Sequence, residues 1–161
     1  MSDLKQETTE TAGWLKDVTP LTLKGQIRMP YRWSVGETGS RFLVALRDDM
    51  KILANRCGSC GKVFVPPKKT CPHCFVDIDE WTEVAAEGTV QSFTIVHKKS
   101  PLQPVAPPYA YALIKLDGAD AALLHLIRDD LQKLKAGSRV RAVFSRTRKG
   151  NIMDIENFEI L

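Results

Sequence analysis

The chain has 161 residues, 43% apolar and 26% charged, an ordinary globular composition with enough apolar material for a core. Its longest uninterrupted apolar run is the six residues 109–114, against about 20 for a membrane helix, which excludes a helical membrane span. The formal charge of +4, from 23 basic and 19 acidic residues, is too small to argue a nucleic-acid partner from charge alone.

The opening MSDLKQETTE is polar, with neither the basic start nor the apolar stretch of a secretory signal, and predicts a cytoplasmic chain. Residues 1–38 read as an extended arm whose only large anchors are Trp14, Tyr31 and Trp33. So few apolar groups do not offset the entropy of ordering an arm unless it lies on a body or a partner.

Residues 39–77 form the next predicted unit. Phe42, Leu43, Leu46 and Met50 recur at helical spacing behind Ser40, predicting a helix over 40–49 with Ser40 as its cap. Two short strands, 52–55 and 62–65, bracket the first cysteine pair, and Pro66-Pro67 stops the second strand.

Residues 78–161 read as β structure, with strands over 90–97, 109–116, 121–127, 139–145 and 152–160. Asp117-Gly118 predicts a tight hairpin turn, 129–134 a single helical turn ending at Gly137, and a phase change in the last strand a bulge near Glu156-Asn157. The fold class is therefore mainly β with a small α component: arm and helix, a rubredoxin-like ribbon and a five-stranded OB-fold barrel. An SH3-like barrel or a small sandwich is the alternative.

Cys57-Gly-Ser-Cys60 and Cys71-Pro-His-Cys74 contain every cysteine of the chain. Two C-x-x-C pairs ten residues apart suit one tetrahedral zinc, with Gly58 and Gly61 easing the first knuckle and Pro72 the second. Disulfides are disfavoured in a cytosolic chain, and a redox dithiol needs a single C-x-x-C beside a βαβ pattern that is not seen. The predicted ligands are Cys57, Cys60, Cys71 and Cys74 around a structural Zn2+, with iron as the alternative and His73 as a bystander. Four thiolates and one zinc lower the net charge to about +2.

A closed four-sulfur site leaves no free thiol for nucleophilic chemistry. No nucleophile elbow, phosphate loop or H-E-x-x-H pattern is found, and His97 and His125 lie in strands without an acid or nucleophile beside them. No catalytic residue is assigned, and the chain reads as an accessory subunit rather than an enzyme.

With these motifs in hand, the chain resembles the acyl-CoA-associated zinc-ribbon/OB-fold proteins. The resemblance rests on residues 42–46, Arg56-Cys-Gly-Ser-Cys-Gly-Lys-Val-Phe-Val-Pro-Pro67, Cys71-Pro-His-Cys74, Gly88-Thr-Val90 and Pro108-Tyr109, and covers about residues 40–160. It implies a subunit that accompanies a thiolase-fold partner, as in archaeal acetoacetyl-CoA thiolase with hydroxymethylglutaryl-CoA synthase, steroid side-chain aldolases and hydratases, and the thiolase of anaerobic toluene breakdown. Tyr31-Arg-Trp-Ser-Val-Gly36 is similar to the last of these. In a hetero-oligomer built on a thiolase dimer, the thiolase-fold partner would supply the nucleophile while the ribbon docks and the barrel helps hold CoA.

CoA combines phosphates with a long pantetheine arm, so it needs cations and an apolar slot. The candidates are Lys98 and Lys99 after the first barrel strand, Arg146, Arg148 and Lys149 between the fourth and fifth, and Tyr109; on an OB-fold the two loops could approach one mouth. The four-proline loop 100–108 would wall the slot. For any single one of these charges a solvated turn is the simpler account, and core packing is the simpler account of Tyr109 and Tyr111. Two other functions remain: a single-stranded nucleic-acid binder using the five cations of 139–149, or a structural adaptor without ligand contact.

Overall fold

The computed structural model describes residues 30–161, together with Thr19 and Gly25. The chain divides into two units, Met1–Trp33 and Ser34–Leu161. Of the first, Trp14 lies outside the described residues; Tyr31 and Trp33 are exposed, their rings 5.1 Å apart.

The second unit opens with α1, Gly36–Asp49, four residues earlier than periodicity predicts. Gly36, Thr38 and Gly39 are weak helix formers, but the Ser34 hydroxyl accepts from Gly36 N–H and Glu37 sits in the positive first turn. Ser40 is therefore inside the helix, donating back to the Gly36 carbonyl at 2.6 Å rather than capping. The helix ends at Met50 in the left-handed region, and Phe42, Ala45 and Leu46 are buried.

Three strands follow: β1 (Ile52–Arg56), β2 (Val63–Phe64) and β3 (Glu80–Val84). They form one antiparallel sheet in the order β2-β1-β3. Strand β3 was not among the predicted elements, although Trp81, Thr82 and Val84 are strand-favouring types.

The remaining strands are β4 (Glu87–Val96), β5 (Tyr109–Leu116), β6 (Leu123–Ile127), β7 (Arg139–Phe144) and β8 (Ile155–Ile160). They close in the order β4-β5-β6-β8-β7, with β6 and β8 parallel and β4 returning to β7. This is the closed five-stranded OB-fold barrel. The partners of Val143 and Phe144 are Asn157 and Ile155, which leaves Glu156 as the extra residue of the predicted bulge.

Two connections differ from expectation. Between β6 and β7 the chain makes a turn from Asp130 to Lys133 instead of a helical turn, because the Asp129 and Asp130 carboxylates accept from Asp130, Gln132 and Ile160 N–H groups and compete with helix. After Asp117 and Gly118 (φ 91°), residues 119–122 do not pair as strand, since Asp120 and Ala121 bond to the Val63 carbonyl of β2.

One core runs through both sheets: Phe42 and Leu46 of α1, Ile52 and Ala54 of β1, Val63, Val65, Val84 and the barrel interior. A smaller cluster of Cys57, Phe64, Cys71 and Ile78, with Cys74 and Ala121 against it, underlies the cysteine knuckles. Among the described residues no helix is long and apolar enough to cross a membrane.

Candidate functional site

The two cysteine pairs are built by the same local rule. In the first, Gly61 N–H donates to the Cys57 carbonyl at 2.8 Å and Cys57 N–H to the Lys62 carbonyl at 2.9 Å. In the second, Phe75 N–H donates to Cys71 at 2.9 Å and Cys71 N–H to Val76 at 2.8 Å. Gly61 takes φ 70°, the left-handed turn that glycine tolerates, whereas Gly58 does not share it; only one of the two expected glycines is used this way.

Folding the knuckles together brings the sulfurs of Cys57, Cys60, Cys71 and Cys74 within 4.8 Å of one another. The Cys60 and Cys71 sulfurs are 3.8 Å apart, the edge of a tetrahedron of about 2.3 Å metal–sulfur bonds being about 3.8 Å. The donor set therefore fits a tetrahedral thiophilic ion. Backbone N–H of Cys60 lowers the Cys57 thiol to about 7, while the neighbouring Cys60 sulfur and burial push Cys74 up to about 12. Thiols this close do not all ionise without a cation to share, and zinc supplies that charge.

His73 stands outside the sulfur group: its Nε2 lies 3.3 Å from Lys62 Nζ and its ring stacks on Phe64. Two supporting residues escaped the sequence reading. Buried Asn55 donates to the Lys68 carbonyl at 2.6 Å and accepts from Lys68 N–H at 3.1 Å, pinning the loop that leads to the second knuckle. Asp120 accepts from Val63 N–H at 2.8 Å, tying the ribbon to the β5–β6 connection. An amide residue amid strand positions two before Cys57 was a usable signal for Asn55; Asp120 carried none.

The CoA candidates do not form one cluster. Tyr109 is fully buried, so it has no surface to offer; its ring meets Tyr111 edge-on at 5.2 Å, and burial raises its phenol pKa. Antiparallel pairing of Glu87–Thr89 with Arg139–Arg141 carries β7 out past the start of β4, so the β7–β8 loop lies at that end, whereas Lys98 and Lys99 follow the far end of β4. The two loops thus leave opposite ends of the β4/β7 pair instead of sharing a mouth. Arg148 is engaged besides, donating to the Arg47 carbonyl at the end of α1 (2.6 Å) and to Ser145 (3.0 Å). Arg146 and Lys149 are exposed in that loop. Near Lys98 and Lys99, an apolar recess of about 330 Å³ is lined by Ile95, His97, Pro108, Leu131 and Gln132.

A four-cysteine ribbon continuous with an OB barrel defines the class. Two family models match in succession: the rubredoxin-like zinc ribbon domain of ChsH2 over residues 45–80 and the C-terminal OB-fold domain of ChsH2 over 81–145. The chain belongs to this zinc-ribbon/OB-fold family, also described as DUF35. It is 25% identical over 99 residues to a DUF35 domain-containing scaffold protein of Methanocaldococcus jannaschii, covering 61% of this chain and 70% of that one. It is 29% identical over 91 residues to a probable enoyl-CoA hydratase alpha subunit of Thermomonospora curvata, covering 56% of this chain but only 28% of the relative. Among solved structures, a DUF35 protein of unknown function from Sulfolobus solfataricus superposes with a TM-score of 0.59 at 26% identity, covering 78% of this chain and 84% of that one. The Ltp2-ChsH2(DUF35) aldolase shares the fold, with a TM-score of 0.58 at 23% identity over 80% of this chain and 97% of the other.

Proposed function

We propose that the chain is a non-catalytic subunit that docks on a thiolase-fold enzyme and helps to accommodate the CoA part of an acyl-CoA substrate. The observation that carries this reading is the convergence of all four cysteines, Cys57, Cys60, Cys71 and Cys74, on one site with the spacing of a closed structural zinc centre. A relative named as a scaffold protein, and another named as a CoA-ester hydratase subunit, support the role and the substrate class. Within it, Lys98 and Lys99 face the CoA phosphates and the neighbouring recess takes pantetheine. The motif at 31–36, with Tyr31 and Trp33 exposed, is what supports an aromatic acyl group of the benzylsuccinate type.

The nucleic-acid reading is weaker on two counts. Three of the five cations at 139–149 are engaged: Arg139 on Asp117, Arg141 on Glu87 and Arg148 on carbonyls. Phe158 is fully buried, and Phe93 and Phe144 pack on the core instead of offering stacking platforms.

Co-expression with a thiolase-fold enzyme from the same source tests the proposal. Co-elution on size exclusion, and thioester turnover that needs this chain, are expected; separate elution with turnover indifferent to it overturns the reading. Alanine at Lys98 and Lys99 should raise KM for the acyl-CoA more than alanine at Arg146 and Lys149. Equal KM throughout would leave an adaptor without CoA contact.

A further inference from the structure

The two knuckles share their hydrogen bonds but not the residue at the turn. Phe75 occupies in the second the place that Gly61 occupies in the first, and both are left-handed, at φ 57° and 70°. Glycine accepts this conformation freely; an aromatic side chain is strained in it. The strain is not offset by burial, because Phe75 is 82% exposed. A costly residue left this exposed among the described residues is explained by something beyond them.

From this we infer that Phe75 is an anchor that inserts into an apolar socket on the catalytic partner, an inference that rests on the docking reading above. The chemistry around it specifies the socket. Lys62, which closes the first knuckle and reaches His73 of the second at 3.3 Å, joins no ion pair among the described residues, while Lys69 is neutralised by Asp77 at 3.0 Å. The surface around Phe75 is thus apolar with a positive flank, complementary to a socket rimmed by carboxylates. Exposed Val76, next in sequence, widens the apolar contact.

The conformation makes the test clean, because Phe75→Gly removes the aromatic while relieving the backbone. The variant should keep its zinc content and show an equal or higher Tm, yet bind the thiolase-fold partner at least about tenfold more weakly in titration of the purified chains. Phe75→Leu should fall between the two, and Lys62→Glu should also weaken binding. Partner affinity within twofold of the unsubstituted chain for Phe75→Gly overturns the anchor and leaves the docking reading intact. Loss of zinc or of Tm in that variant also overturns it, by making Phe75 a structural residue. Failure of the unsubstituted chain to bind overturns the docking reading itself and the anchor with it.

Discussion

His125 is buried in β6, its Nε2 3.2 Å from the Ile152 carbonyl and its ring edge-on to Phe158 at 5.6 Å. A carbonyl only accepts, so Nε2 carries the hydrogen, and buried Nδ1 is left without a partner. Burial lowers the pKa below the ordinary 6.5. As pH falls through about 6.5 the unfolded chain takes up a proton that the folded chain refuses, so stability drops with acid until the folded pKa is reached. His125→Gln keeps an N–H for Ile152 but does not titrate. Its stability should therefore fall less than that of the unsubstituted chain between pH 7 and 5 in urea melts, the difference in slope being at most about 1.4 kcal/mol per pH unit. Zinc release in acid is common to both and cancels; parallel slopes would contradict the assignment. At this scale the cysteines were legible because ligand spacing is a local property of the chain. The core packing of Tyr109 was legible too, from the alternation that places it with Tyr111 on one strand face, and its fully buried ring removes it from the candidate CoA contacts.

All five barrel strands were readable, β5 completely because alternation and turn chemistry agree there. Strand β4 begins three residues earlier than predicted, and β8 three later, since Ile152–Asp154 form a 3-10 turn capped by Asn151. The misses lie where a tertiary partner decides: β3 exists by pairing with β1, β6 starts late because Asp120 and Ala121 are bonded to the ribbon, and α1 starts early on a hydroxyl at Ser34. Gly88 shows the same dependence. It pairs with Leu116 on one side and Val140 on the other, where β4 closes the barrel. A Cβ there would lie 2.5 Å from the Lys115 carbonyl oxygen and 2.9 Å from Leu116 Cα, both backbone atoms that cannot swing aside. Gly88→Ala should lose about 1–3 kcal/mol or more by forcing the strands apart. Gly58→Ala, with nothing within 4 Å of its Cβ, should stay within about 0.5 kcal/mol. Equal denaturant midpoints for the two variants would refute the close approach.

At the scale of the whole molecule, the ribbon and the barrel are joined through β2. Val63 and Val65 belong to the same core as Leu116 and Ala119, and Ala121 of the barrel packs on the cluster that holds Cys57 and Cys71. The backbone adds three bonds at one point: Val63 N–H to Asp120, and Asp120 and Ala121 N–H to the Val63 carbonyl at 2.9 and 3.3 Å. A strand of two residues has too little pairing of its own to survive loss of the ion that gathers the knuckles on either side. Chelation should therefore reach the barrel, lowering Tm by more than about 8 °C, which is about 2–4 kcal/mol at the 2–4 °C per kcal/mol usual for this size. Amide exchange should accelerate at 117–122 before it does in β7 and β8. Cys57→Ser and Cys74→Ser should reproduce the effect without chelator, because a hydroxyl does not replace a thiolate on zinc. Asp120→Ala should weaken the link specifically, leaving metal content unchanged while 117–122 exchanges faster even with zinc bound; Asp120→Asn, which keeps an acceptor for Val63 N–H, should not. Barrel exchange and Tm that ignore chelation would mean that the barrel holds together without the ribbon, and that the shared core contributes little across β2.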